Sequence, residues 1–171
     1  MGETDTKLPD AALVNKGSNR IQVNNILSAV CLAALSVLLA QSDKEFSPWI
    51  IGQLGVAIPF LVTSSLAYAK LCYRTGGEVN VWDALGWFTH SVGYIMILNA
   101  TALLLFLRKQ YTVLAWLFLA ATVAVFVLYS LLDILVKRSR FLEKTWKLVF
   151  YLLSLFAGSA LPILAGWVVP P

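Results

Sequence analysis

The run Trp82–Leu107 carries the polar side chains best suited to chemistry: Asp83, His90, Tyr94 and Thr101. On a helix turning about 100° per residue, with Asp83 at zero, Gly86 falls near 300°, Trp87 near 40°, His90 near 340°, Tyr94 near 20° and Thr101 near 0°. The four polar residues therefore share one stripe. His90 is the chain's single histidine, and an unperturbed imidazole titrates at about pH 6.5, which suits proton relay or pH sensing. A carboxylate, an imidazole, a phenol and a hydroxyl in line could border a path for protons or cations. The competing expectation is structural, with the imidazole hydrogen-bonded to a neighbouring helix. No metal and no other cofactor is expected, because one histidine without a second ligand at chelating spacing holds no ion.

Other polar residues lie off this stripe. Asn99 falls near 160° on the same scale of about 100° per residue, so it points toward a different neighbour. Gln53 sits among Gly52, Gly55, Pro59 and the triplet Thr63-Ser64-Ser65. Small residues there permit close helix approach, and the hydroxyls are candidates to satisfy a carbonyl freed by the proline. Asp133 precedes Lys137 by four residues, the spacing of a helical ion pair. Gly158 and Pro162, with Pro59, mark points where helices could kink or hinge. Cys31 and Cys72 have no adjacent base to activate them, so neither is read as a nucleophile.

These residues are positioned by five long apolar stretches, at about Asn24–Gln41, Pro48–Cys72, Trp82–Leu107, Tyr111–Val136 and Trp146–Val169. Each holds roughly 18 to 26 residues, enough to cross a hydrocarbon core of about 30 Å at about 1.5 Å per residue. Hydrophobic residues make up 59% of the chain and charged ones 13%, about half the charge of a soluble domain. A soluble chain of this size could not hide that much apolar surface. The stretches are too long for barrel strands and show no alternation of period two, so each must satisfy its backbone as a helix. The expected fold is an all-α transmembrane helix bundle of five spans, residues 24–171, behind an amino-terminal segment, residues 1–23. Four spans would remain if the first stretch did not cross.

Thirteen Lys and Arg residues divide unevenly between the loops. Ten fall with the amino terminus, the second loop and the fourth loop, and three with the first and third loops. The positive-inside rule then puts the amino terminus in the cytoplasm and the carboxyl terminus outside. Trp82, Trp87 and Trp146 would lie near the inner interface, and Trp49, Trp116 and Trp167 near the outer one. The Arg108-Lys109-Gln110 connection is short, so the third and fourth helices should form a tight hairpin.

The fourth loop is the densest basic cluster: Lys137, Arg138, Arg140, Lys144 and Lys147, interleaved with Phe141, Leu142 and Trp146. That pattern reads as a short amphipathic stretch lying on the membrane. It suits anionic lipid headgroups at the inner face or an acidic cytosolic protein partner. The basic residues sit between apolar spans, which argues against nucleic acid as a partner. No paired catalytic groups, phosphate loop or serine elbow is present, so no enzymatic activity is expected. The leading expectation is a small, homo-oligomeric sensor or scaffold subunit that couples the membrane to a cytosolic partner. The alternative is an oligomeric ion or proton channel, or a small transporter, using the Asp83–Thr101 stripe. Membrane sensors of bacterial stress or phage-defence systems share this general build, an analogy of architecture that points to a bacterial cytoplasmic membrane.

Overall fold

A computed structural model describes residues 11–40, 47–73, 78–136 and 141–168. The described residues are 94% helical and form an all-α bundle, and among them five helices are long and apolar enough to cross a membrane. The order is α1 (Ala11–Ala40), α2 (Pro48–Leu71), α3 (Glu78–Leu107), α4 (Thr112–Val136), α5 (Phe141–Leu155) and α6 (Leu161–Leu164). A π-helical turn, Phe156–Ala160, joins α5 to α6 without interruption.

Local chemistry sets the ends. Pro48 opens α2, where a missing N–H costs nothing and its φ is already helical. Glu78 sits in the first turn of α3, where its charge complements the helix dipole. A 3-10 turn, Lys109–Tyr111, leads directly into α4, and the Thr112 hydroxyl donates to the Lys109 carbonyl at 3.1 Å. Gly166 ends α6 at φ 69°, and the Trp167 N–H then reaches back to the Pro162 carbonyl at 3.0 Å. A left-handed residue there closes the last turn.

Three helices begin earlier than their apolar runs, among them α3, at Glu78 ahead of Trp82. α1 starts at Ala11, so residues 11–23, expected to precede the first span, belong to the same 30-residue helix. The reason lies in its seam: Gly17, Asn24 and Cys31 are its buried residues, seven apart. A seven-residue repeat keeps one face against a neighbour for the length of a helix, and polar or small residues serve as well as apolar ones. Similarly, α5 starts at Phe141. Phe141, Leu142 and Trp146 are the outward-facing residues of its first turns, at 53%, 81% and 70% exposure, and not a separate surface stretch.

The chain divides into two compact units. The first comprises residues up to Ala40 together with Gly55–Tyr94. Within it α2 touches both companions through glycines. A Cβ on Gly17 would lie 2.5 Å from the Cys72 sulfur and 3.0 Å from the Tyr68 carbonyl oxygen. One on Gly86 would lie 3.0 Å from the Tyr68 ring, and one on Gly93 2.9 Å from Leu61. Ser64 adds a hydrogen bond to the Gly86 carbonyl at 2.8 Å. Gly52 and Gly55, expected to make the close approaches, have no neighbour within 4 Å of such a Cβ.

The second unit comprises Gln41–Leu54 and Ile95–Pro171. Ala102, Leu119 and Leu155 form its buried centre, with Leu98, Phe118 and Val123 packed around them. Phe126 and Tyr151 add a tilted ring pair, centroids 4.9 Å apart, between α4 and α5.

Candidate functional site

The expected stripe on α3 separates into different environments. Asp83, His90 and Tyr94 belong to the first unit, and each has its partners there. The Lys16 ammonium of α1 lies 2.7 Å from both Asp83 carboxylate oxygens. The Arg20 guanidinium donates to His90 Nε2 at 3.1 Å. That bond decides the tautomer. With Nε2 accepting, Nδ1 carries the hydrogen and donates to Asn24 Oδ1 at 2.6 Å. The His90 ring also stacks on Tyr94, centroids 6.1 Å apart and planes within 4°. Thr101 lies in the second unit and turns its hydroxyl onto the Ile97 carbonyl of its own helix, at 2.8 Å.

The α1 half of this clasp was absent from the sequence expectation. Lys16 and Arg20 read as topology signals, and Asn24 as the start of a span. Their spacing carried a usable signal. Residues four apart repeat on one helical face, and Lys16, Arg20 and Asn24 form such a row. Asp83 and His90, seven apart, form a matching row on α3.

The second cluster centres on Gly158. Pro162 has no N–H, so the carbonyl four residues before it loses its helical donor. That carbonyl belongs to Gly158, and two side chains replace the missing bond: Gln53 Nε2 at 2.7 Å and Trp49 Nε1 at 3.0 Å. Asn99 Nδ2 donates to the Ser154 carbonyl at 3.2 Å, one turn away. Asn99 also fills the space beside Gly158, where an added Cβ would meet Nδ2 at 1.9 Å. The π turn is thus held by three side chains from α2 and α3. Trp49 further meets Trp167 edge to face, centroids 6.1 Å apart.

At Pro59 the expected role of the following hydroxyls is not found. The carbonyl freed by a proline lies four residues before it, whereas Ser64 and Ser65 follow it. Ser64 bonds Gly86 instead, and the Ser65 hydroxyl has no partner among the described residues.

Asp133 pairs with Lys144 of α5, at 2.9 Å. Lys144 also donates to the Asp133 backbone carbonyl. The expected partner Lys137 lies outside the described residues, as do Arg138 and Arg140. Lys144 is a buried structural lysine and not part of a free basic surface. Lys147 pairs with Glu143 at 2.5 Å, one helical turn back.

Chemically, the ionisable groups of the first cluster are committed to hydrogen bonds, while Asn24 Nδ2, Gln53 Oε1 and Asn99 Oδ1 are buried without a partner among the described residues. Asp83 is bound through both oxygens and His90 through both ring nitrogens, so neither is presented as a general base to an open site. Both cysteines are free thiols, and among the described residues no three His, Cys, Asp or Glu side chains gather at metal-binding distance. No family model, curated protein or solved structure matches this chain.

Proposed function

We propose that the chain is a small non-enzymatic membrane subunit that self-associates and couples the bilayer to a cytosolic protein through its basic face. One observation carries this reading. The ionisable groups that a conduction path would need are tied into a clasp between α1 and α3, Asp83 to Lys16 and His90 to Arg20 and Asn24. Groups bound in that way hold helices together and do not offer successive weak sites to a moving ion. Self-association has support from α4, whose Val113, Leu117, Val125, Leu128 and Leu132 are exposed beside Ala120 and Ala124. Small residues four apart permit close helix contact in a membrane. The basic face lies on the amino-terminal side and faces the cytoplasm, following the ten-to-three division of basic residues.

Three measurements test the proposal. Purified protein in liposomes should pass neither ions nor protons above the empty-vesicle rate. Sustained flux that changes in Asp83→Asn or His90→Ala would establish the channel reading instead. Neutralising Arg138 and Arg140 together should abolish co-purification of a cytosolic protein while insertion is unchanged. Lys144 is left intact because it holds α4 to α5. Reporter fusions after Gly77, Lys109 and Pro171 should read inside, outside and outside, and an inside signal from the last would remove the five-span topology.

A further inference from the structure

Arg20 stands out by its charge balance. It is half-buried, and the group it contacts, the His90 Nε2 lone pair, is neutral. The nearest acid on the facing helix, Asp83, gives both oxygens to Lys16. Among the described residues no carboxylate pairs with Arg20. Cations withdrawn from water are ordinarily matched by an anion. A guanidinium has five N–H donors in a planar fork, and His90 uses one of them.

Helix length places this group. A hydrocarbon core of about 30 Å takes about 20 helical residues. Twenty residues counted back from Ala40, the end of α1, begin at Ile21. The same count from Leu107, the end of α3, begins at Phe88. Arg20 therefore falls at the edge of the hydrocarbon, Asp83 and Lys16 lie outside it, and His90 lies just within. The exposed residues around Arg20 are Ser18, Asn19 and Gln22, which suit a headgroup layer.

We propose that Arg20 is a binding site for an anionic phospholipid headgroup in the leaflet on the amino-terminal side, with His90 orienting the guanidinium fork toward the lipid phosphate. Bidentate N–H donors match phosphate oxygens in geometry as well as charge. Lys16 contributes little, because Asp83 already neutralises it. The site is separate from the basic fourth loop. It requires that the helices span a bilayer but not that either end face the cytoplasm, so it can fail while the proposed function stands.

The test uses the full chain, purified and relipidated with equal phosphatidylglycerol and phosphatidylcholine, with retained lipid counted by native mass spectrometry. Wild type should retain phosphatidylglycerol in preference to phosphatidylcholine. Arg20→Gln should lower that retention about five-fold, the equivalent of about 1 kcal/mol for one basic residue at an anionic surface. Arg20→Lys keeps the charge and loses the fork, so an intermediate value is expected, readable even where Arg20→Gln unfolds. Neutralising Arg138 and Arg140 should leave this lipid bound. Retention by folded Arg20→Gln equal to wild type would overturn the proposal, as would loss of all retained lipid in the loop variant. Thermal protection of lipid-free protein by inorganic phosphate equal to that by phosphatidylglycerol would make the ligand a free anion and overturn it too.

Discussion

Gln53 Nε2 donates to the Gly158 carbonyl over 2.7 Å, and this is the carbonyl that Pro162 leaves without its helical donor. A side chain on α2 thus replaces a backbone bond that α5 and α6 cannot make for themselves. In a membrane an unsatisfied carbonyl has no water to turn to, so the replacement bears directly on stability.

Gln53→Leu should lower stability by about 1 kcal/mol, since Trp49 Nε1 still reaches the same oxygen. Trp49→Phe with Gln53→Leu should cost more than the two single changes added together, because the carbonyl then loses both donors. Restoring an N–H with Pro162→Ala should shrink the cost of Gln53→Leu. Unfolding in mixed micelles measures all of these. Equal costs of Gln53→Leu in the two backgrounds would disconnect Gln53 from the proline.

Gly158→Ala should destabilise by about 1–3 kcal/mol, the usual range for forcing a methyl into a packed site. Its Cβ would meet Asn99 Nδ2 at 1.9 Å. Asn99→Ala shortens the obstructing side chain, so the double variant should be more stable than the sum of the singles predicts. Strict additivity in this cycle would argue that the two residues are not in contact.

Gly17→Cys should form an intramolecular disulfide with Cys72 on mild oxidation. The Cβ at position 17 would stand 2.5 Å from the Cys72 sulfur, closer than the roughly 3 Å from a Cβ to the far sulfur of a bridge, so the Cys72 side chain must rotate away as the bond forms. The product should show as a reductant-sensitive shift in gel mobility of the monomer. A Ser18→Cys control, on the exposed side of α1, should give none.

His90→Ala should reduce stability by about 1 kcal/mol, typical of a hydrogen-bonded polar side chain between membrane helices. His90→Gln should recover most of that loss, since its amide oxygen can accept from Arg20 while its amide nitrogen donates to Asn24. The Asp83–Lys16 pair is more exposed, at 36% and 44% of the side chains. Lys16→Met should therefore cost less than about 1 kcal/mol and should fade further in high salt.

Apolar length alone determined the number and type of the helices. A run of about 20 residues that water cannot solvate has few ways to satisfy its backbone in lipid, and the helix is the local one. The polar face of α3 was equally legible, because helical periodicity places Asp83, His90 and Tyr94 on one side whatever surrounds them. What periodicity cannot supply is the partner. Lys16, Arg20 and Asn24 lie about 66 to 70 residues away in sequence from the groups they bind, and only the docking of α1 on α3 turned apparent loop charges into a clasp. The same holds at Gly158. A proline announces which carbonyl it will free, but the donors that answer, Trp49 and Gln53, come from another helix. Asp133 makes the point most simply: helical spacing offered Lys137, and α5 brought Lys144 to 2.9 Å. Local rules fix what each segment needs, and tertiary packing decides which distant side chain meets the need.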